Sequence, residues 1–71
     1  MSKSLLLTFI GYYQHNQEQV TVFLTNGVKL TGSIGEYDLE SMTLHRDGIS
    51  QLVRYPAVAT ILPQTSFKLH G

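Results

Sequence analysis

Asp38 and Glu40 lie two residues apart, a spacing that puts both carboxylates on one face of a strand, where a pair can divide acid and base work. Neither a histidine nor an activated nucleophile stands beside them, so the pair lacks the partners that catalysis needs. The three histidines, His15, His45 and His70, are far apart and share no ligand spacing, which leaves zinc unsupported. There is no cysteine, and hence no disulfide and no thiolate metal site, as fits a reducing compartment. These residues predict no enzyme, no metal and no cofactor.

The stretch VFLTNGVKLTG, residues 22–32, says more. Two apolar runs flank Asn26-Gly27, a strong short-range hairpin signal in which both turn residues are expected to adopt positive φ. Val22 and Leu24 share one face of the first arm, and Val28 and Leu30 share one face of the second. Lys29 has no evident structural duty. Asp47-Gly48 is a second turn pair of the same chemistry.

Around these turns the pattern predicts a mainly β chain. Residues 4–16 read as an amphipathic helix in which Leu5 or Leu6, Phe9, Ile10 and Tyr13 form an apolar stripe, with Ser4 or Ser2 as cap. Gly11 weakens this helix by roughly 1 kcal/mol relative to alanine. Five strands follow, over residues 19–25, 28–37, 42–46, 49–55 and 57–62. Gly32 and Gly35 mark a bend or bulge in the second. Pro56 lacks an amide donor and turns the chain, so the fifth strand leaves for another edge of the sheet. The expected fold is an N-terminal helix followed by a five-stranded, strongly bent antiparallel sheet, an open barrel of the Sm or SH3-like kind. An OB-fold is the rival, although its helix usually falls between strands three and four. Residues 1–63 form the domain, and residues 64–71 a C-terminal tail.

A 71-residue chain is small enough for its core alone to be marginal, since it buries only about 60% of its unfolded surface. Without disulfides or metal, oligomerisation is the remaining stabiliser. Charged residues make up only 14% of the sequence, which suggests that much surface is covered. An open barrel leaves two edges, here the strands at 49–55 and 57–62, and rotated edge-to-edge contact closes into a ring. A compact dimer would bury the same strands. The formal net charge of zero counts against a general nucleic-acid binder, but a ring would concentrate each cation on one face. The apolar run LLLTFI is too short for a membrane span and lacks a cleavage site, so the chain reads as cytoplasmic with no membrane partner.

The segments FLTNGVKLTG, Tyr37-Asp38, and RDGISQLV followed by AVATILP resemble, in order and spacing, the Hfq family of bacterial Sm-like RNA chaperones. The resemblance spans about residues 5–63. It implies a homo-oligomeric ring, a hexamer in Hfq, whose distal face holds A-rich single-stranded RNA. At the matching positions stand Phe23, Asn26, Gly27, Val28, Lys29, Leu30, Thr31, Gln51 and Thr60. Phe23 replaces the usual tyrosine and keeps a flat platform, worth about 1–3 kcal/mol per stacked base. Asn26 and Gln51 carry donors and acceptors for a base edge, and Lys29 suits a phosphate. Thr31 and Ala59 stand where Hfq commonly has Gln and Ser. In the Sm reading Asp38 holds a loop through side chain to backbone bonds.

The match breaks on the proximal, pore-side face. The Tyr-Lys-His-Ala element typical of the family becomes Arg54-Tyr55-Pro56-Ala57, and Leu39 and Glu40 replace a Gln and an aromatic. Glu40 would repel phosphate and Pro56 donates nothing, so U-rich binding is expected to be weak or absent. Where the family has an arginine rim, this chain has Gln14-His15-Asn16-Gln17. The resemblance thus implies an RNA chaperone or post-transcriptional regulator that binds purine-rich RNA. The alternative is an Sm-like protein-interaction ring with little RNA affinity.

Overall fold

The computed structural model describes residues 3–64. Helix α1 (Lys3–Asn16) is followed by strands β1 (Gln19–Leu24), β2 (Lys29–Tyr37), β3 (Ser41–Arg46), β4 (Ile49–Arg54) and β5 (Val58–Pro63), with a 3-10 turn over Tyr55–Ala57. All pairings are antiparallel, in the spatial order β4-β3-β2-β1-β5. The anticipated helix and bent five-stranded sheet are therefore present, with element ends moved by a residue or so. Residues 65–71 of the anticipated tail, and the Ser2 cap, lie outside the described residues. Gln64 donates to the Gln19 carbonyl (3.0 Å), carrying the pairing one residue past Pro63.

One face of each strand and one stripe of α1 make the core. Ile10 and Tyr13 from α1 meet Val20, Val22, Ile34, Met42, Leu44, Val53 and Tyr55, with Leu6, Phe9, Leu24, Leu30, Val58 and Ile61 around them. Of the two leucines offered for the helix stripe, Leu6 packs and Leu5 stays 63% exposed. Ser4 sits within the helix. At the far end Gln17 takes φ 55°, Asn16 Nδ2 donates to the Tyr12 carbonyl (2.7 Å) and Gln17 Nε2 to that of Gln14 (2.8 Å). These side chains close the helix end, whose last carbonyls have no partner within the helix.

The bend comes from β2. A Cβ on Gly32 would stand 2.5 Å from the His45 carbonyl oxygen, so only glycine allows that approach. Between Ile34 and Tyr37 the register with β3 slips, leaving Gly35 and Glu36 opposite Thr43, the bulge expected of glycine here. The 3-10 turn through Pro56 then sends β5 to pair with β1 rather than β4, as proline predicts. Strands β4 and β5 are thus the two edges of the sheet.

The two turn pairs, alike in sequence, differ in geometry. Asp47 (φ 53°) and Gly48 (φ 79°) both take positive φ, as a two-residue connection requires. In the first hairpin only Gly27 (φ 90°) does, which corrects the expectation for Asn26. The loop there is longer: Gly27 donates to the Leu24 carbonyl (2.9 Å) and Leu24 to that of Val28 (2.8 Å), a turn followed by one left-handed residue. Asn26 instead accepts the Val28 N–H on Oδ1 (3.0 Å).

Candidate functional site

Three neighbouring strands bring the hairpin residues together. Phe23 is in register with Lys29 on β2 and with Thr60 on β5. Directly paired residues share a face, so aromatic, cation and hydroxyl form one row across the sheet. Val22 and Val20 alternate with Phe23 and are fully buried, which puts that row on the outer side. Phe23 is half-buried, while Lys29 and Thr60 are exposed. The next row on this face pairs Thr21 with Thr31, their hydroxyls 3.5 Å apart, with Leu62 opposite Thr21. Ala59 is the extra residue of a bulge that falls as β5 passes from Thr60, opposite Phe23, to Val58, opposite Leu24. Thr21 was not singled out by the sequence, although period two from Phe23 places it on the same face.

The turn completes one end of this patch, where Val28 is 46% exposed beside Gly27 and Asn26. Two other matched residues stand elsewhere. Leu30 pairs with the buried Val22 and packs against the core, on the opposite face. Gln51 is exposed on edge strand β4, paired with the buried Leu44, so it projects from the core side of the sheet, three strands from β1. Within one chain, then, the patch consists of Phe23, Lys29, Thr60, Thr21, Thr31 and the turn. It offers a flat apolar surface, a mobile positive charge and hydroxyls that donate or accept.

The pore-side residues are arranged differently. Asp38 accepts on Oδ1 the N–H groups of Glu40 (2.8 Å) and Ser41 (2.9 Å), with the Ser41 hydroxyl at 3.5 Å, and so pins the β2–β3 loop as expected. The Glu40 N–H, then that of Ser41, hold its carboxyl below the ordinary 3.8. Tyr55 is turned inward: its N–H donates to the Glu40 carbonyl (3.0 Å) and its Oη to the Asp38 carbonyl (2.7 Å). Burial, then the Asp38 charge, push the Tyr55 phenol up. Leu39, Glu40, Arg54 and Pro56 remain exposed. Among the described residues an ion pair within 4.0 Å joins Arg46 and Asp47. No group of three or more metal-ligating side chains occurs among the described residues, and no described helix is long and apolar enough to cross a membrane.

The family model described as Hfq protein matches residues 8–68, most of the chain. The chain belongs to the Hfq family. The RNA-binding protein Hfq of Rhodospirillum rubrum is 44% identical over 61 residues, covering 86% of this chain and 74% of the relative. That of Paramagnetospirillum magneticum is 40% identical over 68 residues, covering 96% and 81%. A crystal structure of the pleiotropic translational regulator Hfq superposes with a TM-score of 0.78 at 31% identity, over 82% of this chain and 97% of that one. The helix and the bent five-stranded sheet are thus the Sm-like fold of the family.

Proposed function

We propose that this protein is an RNA-binding ring subunit, an RNA chaperone and post-transcriptional regulator that holds purine-rich, preferentially A-rich, single-stranded RNA on its hairpin face. The observation that carries this reading is the register of Lys29, Phe23 and Thr60 across three strands, on the side away from the core. Stacking on an aromatic is favourable for any base and stronger for the larger purines, and a lysine one strand away suits the adjoining phosphate. The relatives' name, RNA-binding protein Hfq, supports the same ligand. No bond is made or broken in this work, so no catalytic group is required.

The ring is supported by the two open edges. Ile49 and Leu52 on β4 and Leu62 on β5 are 64%, 68% and 52% exposed, apolar side chains that a neighbour's edge would cover. Closure by head-to-tail contact gives a homo-oligomer, a hexamer by family resemblance, with Gln51 on the β4 edge at the contact between copies. Repetition multiplies Lys29 on one face, so a neutral chain still presents a local positive field. U-rich binding at the pore is weak or absent in this account, because Tyr55 is occupied within its own chain and Glu40 is exposed.

Fluorescence anisotropy with oligo-A and oligo-U across a salt series tests the proposal. Tighter oligo-A binding that weakens with salt is expected. If neither oligonucleotide binds below tens of micromolar, the protein is a protein-interaction ring instead. A monomer in solution at micromolar concentration would remove the ring.

A further inference from the structure

The outer face carries a second flat aromatic surface. His45 on β3 is in register with Ser33 on β2 and Ser50 on β4, on the same side of the sheet as Lys29 and Phe23. Its imidazole is held at three points. Ser50 Oγ on β4 lies 2.7 Å from Nδ1, and Thr43 Oγ1, two residues back on β3, lies 3.3 Å from Nε2. The Nε2–Cδ2 edge occupies the place where a Cβ of Gly35 on β2 would be.

Two of these contacts lie across the strands and one along them, and hydrogen bonds to an imidazole lie in its plane. The imidazole therefore rests parallel to the sheet, and as His45 is exposed, its upper face is open. The hydrogen-bond roles also close. The Thr43 hydroxyl accepts the Glu36 N–H (2.8 Å) and donates its proton to the Glu36 carbonyl (3.2 Å), so Nε2–H donates to Thr43, while Nδ1 shares a hydrogen bond with the Ser50 hydroxyl. The result is a pre-oriented plate whose in-plane polar groups are satisfied.

From these contacts we infer that His45 is a second base-stacking platform, taking a nucleobase of the same single strand that Phe23 holds. Unpaired bases stack on histidine as on other aromatics. Lys29 and Ser33 are four residues apart on β2, roughly 13 Å, and His45 is one strand further on, about 5 Å. A bound strand would run from Phe23 around the outside of the Gly32–Gly35 bend to reach it. The inference rests on the reading of the Phe23 face as an RNA surface.

The test titrates oligo-A of about 4 and about 18 nucleotides, below and above the span of one small binding domain. The proteins are wild type, Phe23→Ala, His45→Ala, His45→Phe and His45→Lys, each verified for fold by circular dichroism and for oligomeric state by mass. His45→Ala is expected to weaken the longer oligonucleotide about tenfold and leave the shorter one unchanged. His45→Phe should restore the loss and His45→Lys should not, since stacking rather than charge is at work. Unaltered binding of the longer oligonucleotide by His45→Ala, or full restoration by His45→Lys, overturns the platform. If only Phe23→Ala loses binding, this inference alone fails, and a wild-type protein that binds neither length sinks both readings.

Discussion

The hairpin face and the Asp38–Tyr55 corner both lie within the stretch the family model matches, yet they use their side chains in opposite ways. On the hairpin face, Phe23 and Lys29 point away from the core, and the turn is held by backbone bonds and by Asn26 Oδ1. At the corner, Asp38 and Tyr55 are engaged within the chain, while Leu39, Glu40, Arg54 and Pro56 stay exposed. Asp38 ties two amides of its loop, and Tyr55 reaches back to the Asp38 and Glu40 carbonyls. In the proposed reading, one fold keeps one recognition surface while its other surface serves as scaffold. A side chain that supports its own loop cannot also meet a ligand without loosening that loop.

Substitution at Tyr55 should have the largest effect, and it should act through stability. Tyr55→Ala empties a buried site and is expected to cost about 3 kcal/mol in urea unfolding. Tyr55→Phe loses only the bond to the Asp38 carbonyl, about 1 kcal/mol. If Tyr55→Phe weakened oligonucleotide binding and left stability untouched, Tyr55 would be a ligand contact after all.

Acid unfolding sharpens the role of Asp38. Its folded value is depressed below 3.8, so its contribution is present above the unfolded value and is lost as pH falls through the folded one. Asp38→Asn can still accept both N–H groups but carries no charge. Wild type should be the more stable near neutrality, with the gap closing as pH falls below 3.8 and through the depressed folded value. A gap that is constant with pH would contradict the carboxylate assignment.

Lys29→Ala should have the smallest effect. Folding should be unchanged, while the slope of log affinity against log salt falls by about one for each lysine that meets a phosphate. An unchanged slope would remove Lys29 from the surface.

Much of this fold was legible because period two and the punctuating residues agree. Pro56 between two apolar runs foretold the switch of β5 to the far edge, and Gly32 and Gly35 foretold the bend. What stayed hidden depends on contacts distant in sequence. Asn26-Gly27 and Asp47-Gly48 read alike, but only the second connection is short enough to need two positive φ values. Tyr55 was placed at the pore by resemblance, although it continues the inward alternation of Val53. Leu30 follows the same rule, since its register with Val22 assigns it to the core. The glycines announce a bend, but no local pattern reveals that the His45 imidazole fills the space beside Gly35.

The difference between the two regions comes down to Phe23, half-buried on the outer face, against Tyr55, sealed inside. The most direct measurement titrates oligo-A against Phe23→Ala and Tyr55→Phe in parallel with wild type. Phe23→Ala should lose about tenfold or more in affinity with stability nearly intact, and Tyr55→Phe should bind as wild type does. Binding that survives Phe23→Ala but fails in Tyr55→Phe would contradict the assignment of the hairpin face as the RNA surface.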